Sequence, residues 1–129
     1  MPHFHINYSG NLEEVVDMYA LCETIRAAAV KIDAFPLPGV RVRATRTDHY
    51  AIADGNPAHG FIDISIRLRG GRAPEVKRDA TQRIFEVARA FLDPAMATHS
   101  IALSLEMRDI DPELSPKTGS IRDHLEDPS

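Results

Sequence analysis

Residues 2–8 alternate in polarity. Pro2, Phe4, Ile6 and Tyr8 fall on one side and His3, His5 and Asn7 on the other. A two-residue period predicts a half-buried strand. Ser9-Gly10-Asn11 is a turn and helix-start signal. Over residues 12–31 the spacing becomes helical, with Leu12, Val15, Val16 and Tyr19 recurring alongside Met18, Leu21, Ile25 and Ala28-Ala29. Phe35-Pro36-Leu37-Pro38-Gly39 interrupts regular structure. Residues 40–46 then alternate again, Val40, Val42 and Ala44 against Arg41, Arg43 and Thr45, before a loop at Asp54-Gly55-Asn56-Pro57.

The same order then returns. Residues 61–69 alternate with Ile62, Ile64, Ile66 and Leu68 on one face, and Gly70-Gly71 makes a turn. Pro74 suits the first position of a helix. Residues 74–92 place Ala80, Ile84, Val87, Ala88, Phe91 and Leu92 at helical spacing, and residues 100–107 alternate through Ile101, Leu103, Leu105 and Met107. The chain thus reads as β-α-β twice, at an offset of about 60 residues, visible in pattern rather than in residue identity. Each half is expected to form a parallel strand pair with a right-handed helical crossover. The fold class that follows is α/β (α+β), a four-stranded sheet with two helices on one face. Its other face then needs a covering, for which a subunit interface is the natural candidate.

A chain of 129 residues suits a single domain over 1–129, with pseudo-repeats at about 2–48 and 60–108 and a polar tail at 109–129. The net charge of −4 argues against non-specific nucleic-acid binding. Charge is unevenly spread. Arg41, Arg43, Arg46, Arg67, Arg69, Arg72, Lys77 and Arg78 occupy two short stretches, whereas Asp109, Asp111, Glu113, Asp123, Glu126 and Asp127 crowd the tail. A locally cationic site in an acidic protein suits a small anionic ligand. The single cysteine, Cys22, forms no intrachain disulfide, which permits a reducing compartment. No apolar run approaches the roughly 20 residues of a membrane span. MPHFHINYSG lacks the flanks of a signal peptide, so a cytoplasmic location is expected.

Several segments together resemble a known family. They are Met1-Pro2-His3-Phe4, Phe35-Pro36-Leu37-Pro38-Gly39-Val40-Arg41-Val42-Arg43, Ala53-Asp54-Gly55, Gly71-Arg72 and Leu103-Ser104-Leu105-Glu106. At these spacings the chain resembles the 5-carboxymethyl-2-hydroxymuconate isomerases of the tautomerase superfamily. Met-Pro alone is weak; joined to Phe-Pro-Leu-x-Gly-x-Arg-x-Arg and the later Gly-Arg it is fairly specific. The resemblance implies two tandem β-α-β units per subunit, a homotrimer, and active sites near subunit interfaces. It also implies a 1,3-type proton transfer on an unsaturated keto or enol polyacid in aromatic (homoprotocatechuate) catabolism, without a cofactor. The base then falls on Pro2 and the functional arginines on Arg41 and Arg72, with Arg43 a further substrate-binding candidate. Two features depart from the pattern. The second helix opens Ala73-Pro74 without a polar cap, and the acidic tail after Asp109 finds no counterpart.

The chemistry of Pro2 stands on its own grounds. A small second residue permits removal of Met1, which leaves proline as a secondary amine with a free lone pair. On the apolar side with Phe4 and Ile6, and near arginine cations, its ammonium form is disfavoured and its pKa falls. An amine poised near neutral pH suits proton transfer. If Met1 stays, Pro2 is an amide and no base, and Pro2 otherwise merely opens an edge strand. Arg41 and Arg72 each offer a planar fork to a carboxylate, and either can stabilise charge on a dienol oxygen. His3 and His5 share a strand face, but no nearby Cys, Asp or Glu completes a metal-ligand set. Cys22 reads as core and Ser104 has no nucleophile elbow. The alternatives are a catalytically silent trimeric ligand-binding or assembly protein of the same fold, and a tautomerase for another keto acid.

Overall fold

The computed structural model describes residues 1–126. Strand β1 (His3–Ser9) leads through a 3-10 turn at Gly10–Leu12 to helix α1 (Met18–Ala29). A second 3-10 turn at Leu37–Gly39 precedes strand β2 (Arg41–Thr47). Strand β3 (His59–Arg69), helix α2 (Pro74–Thr98) and strand β4 (Ser100–Ile110) repeat the order. The sheet runs β2-β1-β3-β4. β1 pairs parallel with β2 and β3 with β4, while β1 and β3 meet antiparallel at the centre, Ile6 opposite Ile64.

Alternation along the strands puts Phe4, Ile6, Ile62, Ile64, Ile66 and Leu68 on one face, where all are fully buried. They pack against Leu21, Ile25 and Ala29 of α1 and Ala80, Ile84, Ala88 and Leu92 of α2. Each large side chain so buried contributes about 1.5–3 kcal/mol. The opposite face carries His3, His5, Asn7, Arg41, Arg43, Thr45, Asp63, Ser65, Arg67, Ser104, Glu106 and Arg108, at most half-buried. Its polar groups pair across strands: Ser104 donates to Asp63 at 2.7 Å, and Thr47 donates to Asn7 at 3.0 Å. This uncovered face is polar rather than apolar, and its side chains are largely paired with one another across the strands.

Two element bounds differ from the sequence pattern. The expected helix from residue 12 instead starts at Met18, because the Asp17 carboxylate accepts from the Ala20 amide at 3.0 Å and fixes the first turn. Leu12 and Val16 still enter the core, but from the preceding turns. Helix α2 runs beyond residue 92 to Thr98, straight through Pro94. Ala95 and Met96 pack against the core there, which offsets the backbone hydrogen bond that proline forgoes. As the sequence indicated, α2 opens on Pro74 with no side-chain cap from Ala73.

Candidate active site

Pro2 is buried at the start of β1. It sits against the segment that breaks regular structure after α1. Phe35 packs edge-on to Phe4, ring centroids 5.0 Å apart, which draws that segment over the strand. Gly39 then closes on the proline: a Cβ there would stand 2.9 Å from Pro2 Cδ and 3.3 Å from Met1 Cα. Gly39 serves close approach rather than an unusual backbone angle. Gly71 differs, with φ +113°, a conformation that favours glycine. It swings the chain so that Arg72 Nη1 donates to the Arg69 carbonyl at 2.8 Å.

Two cavities flank Met1. One, of about 460 Å³, opens on the polar sheet face and is lined by His3, Arg41, Arg67, Arg69 and the tail residues Pro116 and Lys117, among others. The other, of about 530 Å³, lies toward Pro36, Pro38 and Gly39 and is closed by Lys117, Gly119 and Arg122. Met1, Arg41, Lys117 and Thr118 belong to both walls. Arg41 Nη2 donates to the Met1 sulfur at 3.5 Å. Met1 therefore stands at both spaces, beside Arg41 and Lys117.

Electrostatics follow from this crowding. The Met1 amine is pushed down from 8.0 to about 6, first by burial, then by Lys117, Arg72 and Arg41. His3 lies in one cross-strand line with Arg41 on β2, Arg67 on β3 and, beyond it, Arg108 on β4. Burial, then Arg67, Arg41 and Arg43, lower its pKa to about 4, so its ring is neutral at physiological pH. Its Nδ1 is buried without a hydrogen-bond partner. Among the described residues no Asp or Glu lines either cavity, so the charged side chains beside the amine are cationic.

The structure brings Pro2 and Arg41 together at one end of the sheet, and Arg72 acts on the same terminus although, like Arg43, it lines neither cavity. Arg43 lies one row further along the polar face, opposite His5, and lines neither cavity. His5 bonds Thr45 at 2.9 Å. Cys22 is half-buried on α1, its thiol pKa raised by burial. At the far end of the sheet His59 bridges Asp54 (2.8 Å) and Ser100 (2.7 Å), tying the loop after β2 to β4. Sequence reasoning missed Lys117. Its signal was a lone lysine within an otherwise acidic tail, but spacing gave no hint that the tail returns to the amino terminus.

The family model for 5-carboxymethyl-2-hydroxymuconate isomerase matches residues 2–125. The chain belongs to that family. An isomerase of the family from Escherichia coli, 5-carboxymethyl-2-hydroxymuconate Delta-isomerase, is 27% identical over 121 residues, 94% of this chain and 96% of the relative. A solved 5-carboxymethyl-2-hydroxymuconate delta-isomerase is 33% identical with a TM-score of 0.88, over 96% of this chain and 92% of its own. A 5-carboxymethyl-2-hydroxymuconate isomerase from Deinococcus radiodurans R1 is 27% identical with the same TM-score of 0.88, over 95% and 92%. A fused 4-OT symmetric trimer shares the tautomerase fold at 18% identity and a TM-score of 0.65, over 90% and 93%. Because the isomerase family match extends to residue 125, residues 109–125 of the tail that had no counterpart in the sequence pattern lie within the matched region.

Proposed function

We propose that this chain is a 5-carboxymethyl-2-hydroxymuconate Δ-isomerase of aromatic catabolism, cytoplasmic and homotrimeric, with the nitrogen of Pro2 as its base once Met1 is removed. The observation that carries this reading is the convergence of the amino terminus with Arg41 and Lys117 at two cavities that no carboxylate among the described residues lines, with Arg72 close enough to act on the terminal amine. An amine held near neutral pH there can both take and return a proton.

The step balances without an oxidant or a further reactant. Pro2 nitrogen takes the proton from the C2 hydroxyl of the dienol, and the oxygen forms a carbonyl with C2. The C2–C3 electron pair shifts to C3–C4, and the C4–C5 pair takes the proton back from the ammonium at C5. Starting from the unconjugated ketone, the same base takes the proton from C3, which is the 1,3 transfer. The product keeps its carbonyl conjugated with the C3–C4 double bond. Arg41 and Arg72 hold carboxylates, and one of them stabilises charge developing on the C2 oxygen. Arg43 is retained as a substrate contact of lower rank, one row away. The trimer rests on the tautomerase relatives described as trimers. A polar sheet face rich in hydrogen-bonding groups suits such an interface.

An ultraviolet assay with 5-carboxymethyl-2-hydroxymuconate, run on processed protein, tests the activity. Absence of turnover there refutes it. Light scattering tests the assembly: a monomer at micromolar concentration refutes the trimer.

A further inference from the structure

The C-terminal tail brings two cations to the cavities beside the amino terminus, Lys117 at both and Arg122 at one. After β4 the chain turns at Pro112–Leu114 and runs across Met1, so that Lys117 lines both flanking cavities together with Arg41. Two carboxylates early in the tail are occupied elsewhere. Asp109 pairs with Lys77 at 3.3 Å, and Asp111 accepts from the Glu113 amide at 2.9 Å. Among the described residues Lys117 has no ion-pair partner.

We propose that Lys117 is a specificity-determining residue that holds the carboxymethyl carboxylate of a tricarboxylate substrate. This rests on the isomerase reading above and adds to it the group that recognises the third charge. The chemistry selects the position. C5 receives the proton and carries both the C6 carboxylate and the carboxymethyl arm, so the arm is one of the two anionic groups nearest the base. Lys117 is the charge that acts most strongly on the terminal amine. Arg41 and Arg72 then serve the two carboxylates of the main chain. Lysine is also the fitting residue type. A point charge on a flexible stem follows a rotating CH2-carboxylate, which a fixed guanidinium fork does not need to do at a rigid dienoate.

The test compares Lys117→Gln and Lys117→Arg with the wild type, all processed, at pH 9 so that the amine is neutral throughout. Substrates are 5-carboxymethyl-2-hydroxymuconate and 2-hydroxymuconate, which lacks the arm. Lys117→Gln is expected to raise KM for the tricarboxylate about tenfold or more, the loss of one charge-assisted hydrogen bond. KM for 2-hydroxymuconate and both kcat values stay within about twofold, and Lys117→Arg restores most of the loss. An equal loss on both substrates, or none on either, overturns the assignment. Calorimetry with two inert anions decides it independently of turnover. Lys117→Gln should weaken propane-1,2,3-tricarboxylate but not glutarate; equal affinities for wild type and variant overturn the proposal. A wild type that binds the tricarboxylate through Lys117 yet turns over neither substrate refutes the isomerase reading alone.

Discussion

A Cβ on Gly39 would lie 2.9 Å from Cδ of Pro2, closer than two carbons can rest. The atom it would strike is bonded directly to the nitrogen proposed as base. Unlike the end of a long side chain, a pyrrolidine ring cannot fold out of the way, so the proline itself must move.

Gly39→Ala is therefore expected to lower kcat/KM about tenfold or more, because misplacing a reacting group by a fraction of an ångström is costly. Stability should change little, since the displaced residue is the terminal one in the processed protein. Thermal unfolding and steady-state kinetics on the same preparation check this. Unchanged kinetics would show that the Pro2–Gly39 contact does not position the base.

Retention of Met1 makes Pro2 an amide and leaves a residue lining both cavities. Protein bearing Met1, or acetylated at Pro2, should lack activity, while Pro2→Ala keeps a weak activity because a primary amine still accepts a proton. Intact mass read beside the assay settles the matter. Full activity in a Met1-bearing sample would exclude Pro2 as base.

Arg41→Ala and Arg72→Ala should each cost more than about 2 kcal/mol of transition-state stabilisation, the scale of a lost charged hydrogen bond or oxyanion donor. Lysine at either position should recover charge without the planar fork and rescue only in part. Steady-state kinetics on the four variants provide the check, and wild-type kcat/KM in both alanine variants would remove them from the site.

The pH profile carries a sign. Only a neutral amine is a base, so kcat/KM should rise with pH through the amine pKa and then level. Burial and the cations Lys117 from the tail, Arg72 from the loop before α2 and Arg41 from β2 lower the pKa of the Met1 amine, while His3 on β1 is neutral; the same cations are expected to act on the Pro2 amine once Met1 is removed. Lys117→Gln removes one repelling charge and should shift the acid limb to higher pH, with the larger loss at pH 6 than at pH 9. A limb that stays in place, or moves lower, would contradict the electrostatic account.

His3 makes the fold sensitive to acid. In the folded chain its pKa is about 4 against an ordinary 6.5. The unfolded chain therefore takes up a proton that the folded chain refuses. Stability from this source is complete above about pH 6.5 and is lost as pH falls toward 4. Denaturant unfolding at pH 7 and pH 5 should show a smaller difference in His3→Gln than in the wild type; an equal difference would place the acid sensitivity elsewhere.

The two β-α-β units were legible because a strand and a helix bury one face each, and the change of period from two to 3.6 marks where one gives way to the other. Met-Pro, the Phe35–Arg43 segment and Gly71-Arg72 were legible as a resemblance, and the family match supports it. Pairing of β1 with β3 was not, since an antiparallel centre between two parallel pairs depends on how the halves dock rather than on either period. Nor did periodicity reveal that α1 waits for Asp17 or that α2 passes Pro94, where a local cap and core packing override the spacing. The tail shows the division most plainly. Its sequence is acidic and without period, so nothing local gives Lys117 a direction; only the chain's return across Met1 sets Lys117, and Arg122 after it, beside Arg41. Local pattern determined the elements and the residue types fit for the chemistry, whereas the meeting of three distant segments at one end of the sheet is a long-range packing outcome that the tertiary structure alone decided.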